Sequence, residues 1–165
     1  MTVRNVIIFD IDGTLADCSH RLPHILDQVP ADWDTFDALI SDDAPIPGMI
    51  RLLHIIAINP MIKIILLTGR ADRNDVQKDT RTWLKEQGIN GARFNKLLMR
   101  GAGDRRPATI VKQEQLEHYG YTPEQVITIF EDDPATVKHL RNLGYHVCNV
   151  DDRPFIEGEH EGGPE

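Results

Sequence analysis

Short runs of β-branched and aliphatic residues alternate along this chain with stretches whose apolar positions recur every three to four residues. That alternation is the pattern of a parallel sheet covered by helices. The first run, Val3-Arg4-Asn5-Val6-Ile7-Ile8-Phe9, predicts a buried strand that ends at Asp10. Further strands are predicted at Lys63-Ile64-Ile65-Leu66-Leu67, Lys96-Leu97-Leu98-Met99, Val126-Ile127-Thr128-Ile129-Phe130 and His146-Val147-Cys148-Asn149-Val150. Helices are predicted between them, over 48–58 after Pro47, 75–87 with Asn74 as cap and Gly88 as stop, 109–119, and 134–143 ended by Gly144. Pro134 suits the first turn of the last helix, where its missing N–H is not needed. Five strands fit a small doubly wound α/β sheet, Rossmann-like and three-layered.

Two segments break the alternation. Residues 16–45 are rich in Asp, Pro, His and aromatics, with short helices expected at 22–29 and 33–39, and read as a small helical cap inserted after the first strand. Residues 151–165 are dominated by acids, Gly and Pro with almost nothing to bury after Ile156, and read as a solvated, flexible tail behind one domain spanning 1–150. The length of 165 residues suits one domain, and 41% apolar residues suffice for its core. No internal repeat interrupts it.

Charge and cysteine content narrow the classes. A formal net charge of -8 argues against an extended nucleic-acid groove, which relies on many Lys and Arg to neutralise phosphates, but leaves room for a single phosphorylated end. Cys18 and Cys148 are too few for a disulfide framework, and the chain lacks a signal-peptide pattern, so a cytoplasmic setting is expected. The longest apolar runs fall far short of the ~20 residues of a membrane span. No membrane partner is expected.

Candidate chemistry collects where the strands end, since open α/β sheets place ligands at the carboxyl ends of their strands. The first strand delivers Asp10-Ile11-Asp12-Gly13-Thr14-Leu15, with two carboxylates on one side of an extended chain before Gly13 permits a sharp turn. The strand at Val126 delivers Glu131-Asp132-Asp133. Carboxylates brought together repel unless a cation lies among them, and hard oxygen donors suit Mg²⁺. An EF-hand fails, because Leu15 stands where the loop glycine belongs and Arg21 where the terminal glutamate belongs. Other nucleophile patterns fail too. Neither cysteine is followed by an arginine six places on, neither Ser19 nor Ser41 lies in Gly-x-Ser-x-Gly, and Gly101-Ala102-Gly103 lacks the third glycine of a dinucleotide loop.

Phe9-Asp10-Ile11-Asp12-Gly13-Thr14-Leu15 resembles the first motif of the haloacid dehalogenase (HAD) superfamily of phosphatases. Leu66-Leu67-Thr68-Gly69-Arg70 resembles its second motif, Lys112 in a helical stretch its third, and Phe130-Glu131-Asp132-Asp133 its acidic fourth, so the likeness runs from about Val3 to Val150. The Thr68-Gly69-Arg70 turn, Leu98-Met99-Arg100, the spacing from Asp104-Arg105-Arg106-Pro107 to Lys112 and the Asp132-Asp133 pair are similar to the phosphatase half of bacteriophage polynucleotide kinase. No glycine is followed by lysine, so a Walker A loop and with it the kinase half are absent.

The resemblance implies a HAD-like fold and a phosphomonoesterase. Asp10 would be the nucleophile, forming an aspartyl-phosphate, and Asp12 the acid and base, its pKa expected to be raised by burial and nearby carboxylates. Thr68 and Lys112 would meet the phosphate, and Mg²⁺ would be held by Asp10, the main-chain carbonyl of Asp12, Asp132 and Asp133, with Asp132 favoured over Glu131 for direct contact. Asp133 also fits a plain role at the start of the helix at Pro134. Candidate substrate contacts are Gly69, Arg70 and Arg100, and in the cap His20, Arg21 and Trp33; Trp33 and Phe36 equally fit packing of the cap on the core. The likeness implies a phosphorylated nucleotide or nucleic-acid end, with 3'-phosphatase action leading and a 5'-mononucleotide phosphatase as the alternative. A receiver-like phosphoacceptor that does not turn over is the alternative from another class. It is disfavoured because a receiver carries its acceptor Asp on a middle strand and lacks the acid two places later.

Overall fold

The structure, a computed structural model, describes residues 4–151. Val3 of the first predicted strand and 152–165 of the predicted tail lie outside them. Five parallel strands form the central sheet: β1 (Val6–Phe9), β4 (Lys63–Ala71), β5 (Lys96–Arg100), β6 (Val126–Glu131) and β7 (Val147–Asn149), in the order β5-β4-β1-β6-β7. The fold class read from the alternation is therefore observed. β4 runs on four residues past the predicted Leu67, so that Thr68 and Arg70 are held by strand geometry rather than by a loose turn. It can do so because its register against β5 shifts between Leu67 and Ala71, leaving room for the extra chain.

Four long helices cover the sheet. Helices α3 (Pro47–Ile56) and α4 (Asn74–Glu86) lie on one face, where Leu53, Trp83 and Leu84 pack on Ile7, Phe9, Ile64 and Leu66. Helices α5 (Ala108–His118) and α6 (Pro134–Asn142) lie on the other, where Leu116, Val137 and Leu140 pack on Ile8, Ile65, Leu67 and Ile129. Successive residues of β1 and β4 thus go to opposite cores, as the two-residue strand period requires. Trp83 is the largest fully buried side chain. Burying a large apolar side chain of this kind stabilises a fold by about 1.5–3 kcal/mol. The predicted helices fall within two residues of the observed ones; Asn74 opens α4 as its first residue, with Arg73 at the cap position.

The insertion at 16–45 has its own neck. β2 (Ala16–Asp17) and β3 (Ala44–Pro45) pair antiparallel where the segment leaves and rejoins the core, a feature the sequence pattern did not predict. Beyond the neck lie a 3₁₀ turn at Ser19–Arg21, α1 (Pro23–Leu26), α2 (Trp33–Ala38) and a second 3₁₀ turn at Ile40–Asp42. The helix expected over 22–29 shrinks to one turn, while α2 is started by Asp32, whose carboxylate accepts from the Thr35 N–H at 3.0 Å. Among the described residues no helix is long and apolar enough to cross a membrane.

Candidate active site

Strand order assembles the site. β1 is flanked by β4 and β6, so the ends of these three neighbours bring Asp10 and Asp12, Thr68 and Arg70, and Glu131 and Asp132 to one edge of the sheet. This is where the connections reverse direction, the switch point at which such sheets bind ligands. Helix α5 adds Lys112 from the side. All of these except Asp12 and Asp132 are buried.

One half of the site is overloaded with negative charge. Lys112 Nζ lies 2.6 Å from Glu131 Oε2 and 3.0 Å from Asp10 Oδ1. Oxygens of Asp10, Glu131 and Asp132 lie within 4.8 Å of one another, so three carboxylates share one ammonium group. Burial pushes the Asp10 carboxyl up to about 8, with Glu131 and Asp12 adding to the rise and Lys112 opposing it. Burial and the neighbouring Asp10 push Asp132 up to about 7. Burial raises Glu131 as well, against the pull of Lys112. Burial disfavours the charge on Lys112, but Asp10 and Glu131 outweigh it and hold the ammonium protonated above the ordinary lysine range. Such a surplus of hard oxygen donors fits a divalent cation such as Mg²⁺. Gly13, at φ +74°, makes the approach possible: a Cβ there would come within 1.9 Å of Asp132 Oδ2.

The other half is charge-balanced. Asp12 accepts from Arg70 Nη2 at 2.7 Å and Nε at 3.1 Å, and from Arg21 Nη2. Both guanidinium groups also meet Asp43, Arg21 Nε at 2.7 Å and Arg70 Nη2 at 2.7 Å. Arg70 Nη1 donates to Thr80 at 3.2 Å, and the Arg21 guanidinium lies 4.1 Å above the Phe36 ring. Burial works to raise the Asp12 carboxyl, but Arg70 and Arg21 outweigh it and hold it below the usual carboxylate range. The expectation of a raised pKa at Asp12 is therefore corrected. It counted burial and acids, and could not see two arginines converging from positions 9 and 58 residues away.

The remaining predicted residues have specific places. Thr68 is fully buried, and its hydroxyl accepts from the Arg70 N–H at 3.2 Å. Asp133 is the N-cap of α6, accepting from the Ala135 and Thr136 N–H groups, and lies outside the carboxylate cluster. Arg21 and Arg70 turn their N–H groups to Asp12 and Asp43 rather than to open space, and His20 Nε2 is 3.0 Å from Asp43. Arg100 ties the Gly69 carbonyl at 2.8 Å to the carbonyls of Asp104 and Arg106, bracing the loop after β5. Trp33 is half-exposed and edge-on to the buried Phe36, so Phe36 packs on the core side and Trp33 faces outward. Asp43 and Thr80 were not singled out in the sequence. Asp43 reads there as one more acid of an acidic segment, and no local signal marks it as buried.

Comparison with known proteins agrees with this arrangement. The family model of the polynucleotide kinase PNKP phosphatase domain matches residues 4–155. No curated protein matches the sequence. A chain in the structure of the Pnkp1/Rnl/Hen1 RNA repair complex superposes with a TM-score of 0.73 at 24% identity, covering 91% of this chain and 43% of that one. A second structure of the Pnkp1/Rnl/Hen1 complex gives 0.70 at 26% identity, with 91% and 47% covered. This chain thus spans less than half the length of those proteins. A haloacid dehalogenase-like hydrolase from Streptococcus pneumoniae gives 0.60 at 18% identity, covering 89% of this chain and 84% of the other, and shares the fold. With acidic strand ends, a buried lysine and a family match over nearly its whole length, the chain belongs to the PNKP-type phosphatase domains of the HAD superfamily.

Proposed function

We propose that this phosphatase is a Mg²⁺-dependent phosphomonoesterase that works through an aspartyl-phosphate on Asp10 and removes 3'-phosphates from nucleotides or polynucleotide ends. The observation that carries the chemistry is the contrast between adjacent acids: Asp10 lies among surplus carboxylates beside Lys112, while Asp12 is gripped by two arginines. Asp10, Asp132 and Glu131 are the side chains that would hold Mg²⁺, which would offset the phosphate's charge.

Lys112 keeps Asp10 aimed and adds positive charge at the phosphoryl oxygens. An Asp10 carboxylate oxygen forms a bond to phosphorus as the bond from phosphorus to the leaving oxygen breaks. The leaving oxygen takes the electron pair and a proton from Asp12. Water then attacks the phosphorus of the aspartyl-phosphate, Asp12 accepts the water's proton, and Asp10 is regenerated with release of phosphate. Arg21 and Arg70 hold Asp12 as a carboxylate in the free protein, the form needed for this second half. An arriving phosphate dianion places negative charge beside Asp12 and favours its protonation for the first half.

The 3' preference rests on the resemblance of the motifs to a polynucleotide 3'-phosphatase, and the match to a polynucleotide kinase phosphatase domain supports a nucleic-acid end as substrate. A second reading, a 5'-mononucleotide phosphatase, is favoured by the insertion, which carries seven Asp and, as its one Lys or Arg, the buried Arg21. A strand's phosphates gain nothing from crossing that surface. The deciding measurement is Mg²⁺-dependent phosphate release from a 3'-phosphorylated oligonucleotide, 3'-mononucleotides and 5'-mononucleotides. Turnover led by the 3'-phosphates is expected, with Asp10→Asn at least about 10³-fold slower. Turnover led by a 5'-mononucleotide would establish the second reading, and activity surviving Asp10→Asn would overturn the mechanism.

A further inference from the structure

Behind the two arginines that grip Asp12 stands a second carboxylate, Asp43, at the far end of the insertion. Its side chain is wholly buried. Oδ1 accepts from Arg21 Nε at 2.7 Å and lies 3.0 Å from His20 Nε2; Oδ2 accepts from Arg21 Nη2 at 2.9 Å and Arg70 Nη2 at 2.7 Å. Its main-chain carbonyl accepts from the Trp83 indole at 2.7 Å, which pins this end of the insertion to α4. Arg21 comes from the beginning of the insertion, Arg70 from the core strand β4, and Asp43 joins the two. A guanidinium group is a rigid planar fork, so a carboxylate fixing one edge of it fixes where the other edge points. Two such forks side by side would repel and rotate apart without the charge between them.

We propose that Asp43 is a positioning residue for proton transfer: by orienting Arg21 and Arg70 from behind, it places the Asp12 carboxyl at the leaving oxygen, so that a seated insertion is the condition for expelling a poor leaving group. The inference rests on the phosphatase reading above, in which Asp12 supplies the proton. It assigns the insertion a catalytic duty apart from any contact with substrate. When the bond to the leaving oxygen breaks, an alkoxide needs the Asp12 proton, and the resulting Asp12 carboxylate returns to the two guanidinium groups. A p-nitrophenolate leaves with its electron pair and needs no proton.

The test compares kcat/KM, which reports the steps through departure of the leaving group, for a nucleoside 3'-monophosphate and for p-nitrophenyl phosphate. In Asp43→Asn the nucleotide value is expected to fall by roughly 100-fold, the scale of a 1 Å misplacement, and the p-nitrophenyl value by less than about threefold. Asp43→Glu keeps the charge but moves the oxygens by one methylene, and is expected to show the same selective loss. It decides the matter if Asp43→Asn does not fold. Equal losses on both substrates, or none, in folded Asp43 variants overturn the inference while leaving the phosphatase reading intact. Failure of the unmodified protein to turn over either substrate, or survival of both activities in Asp10→Asn, overturns that reading and the inference with it.

Discussion

Asp10 and Asp12 lie two residues apart on one turn, yet they belong to opposite electrostatic regimes. Around Asp10, three carboxylates face one lysine; around Asp12, two carboxylates face two arginines. The first set is short of positive charge, and its acids are pushed upward, Asp10 to about 8 and Asp132 to about 7. The second set is closed on itself, and Asp12 is pushed downward. A region with surplus hard oxygen donors fits a cation; a region in balance holds its members still. Under the proposed mechanism the chemistry asked of each acid would differ in the same way, since a nucleophile needs its charge offset only when substrate is present, whereas an acid and base needs a fixed address throughout.

The most severe way to break this comparison is to unbalance the second set. Arg70→Met leaves Asp12 and Asp43 with one guanidinium between them, and a loss of about 3–5 kcal/mol in unfolding free energy by urea titration is expected, the usual cost of breaking a buried pair. Asp10→Asn removes one negative charge from the surplus set, so without metal it is expected to raise stability in the same titration while abolishing activity. Two losses of similar size would mean that the sets do not differ as described.

A smaller effect sharpens the first set. Gly13→Ala places a methyl group against Asp132 Oδ2, so Asp132 must turn out of the cluster. Mg²⁺ affinity measured by isothermal titration is expected to fall about 10–100-fold, as for other changes in the support of metal ligands. The positive φ adds a stability loss of about 1–2 kcal/mol. Unchanged Mg²⁺ affinity would remove Asp132 from the metal's ligands.

The mildest effect is on pH dependence. Asp10 and Asp132 have raised pKa values in the folded, metal-free protein, so the stability they contribute is complete below their unfolded values and is lost as pH rises through about 7 and about 8. Metal must displace those protons, so affinity rises over the same window. At a fixed Mg²⁺ concentration the gain in melting temperature is expected to be larger near pH 8 than near pH 6 by scanning fluorimetry. An equal gain at both would show that the cluster carries no protons for the metal to displace.

Local pattern was sufficient for the strands, the long helices, and the positions at which carboxylates leave the strands. Strand runs and caps are set by residues within a few places of one another, and Asp10, Asp12, Glu131 and Asp132 directly follow or end apolar runs. The insertion was harder to read. Its predicted helix at 22–29 reduced to one turn and its β2–β3 neck went unnoticed, because each neck strand is two residues long and carries no period of its own.

What emerged only on folding is the sorting of like residues into unlike roles. Asp12, Asp43 and Asp132 are the same side chain in one acidic sequence, but Arg21 and Arg70 surround the first two and Asp10 and Glu131 surround the third. The arginines likewise resemble surface or substrate-facing cations until burial surrounds them, among the described residues, with carboxylates, a hydroxyl, a main-chain carbonyl and the Phe36 ring. The reason is that an apolar period acts between neighbours along the chain. The state of a charge depends on every ion within several ångströms in a medium of low dielectric, and here those ions come from segments up to 58 residues apart.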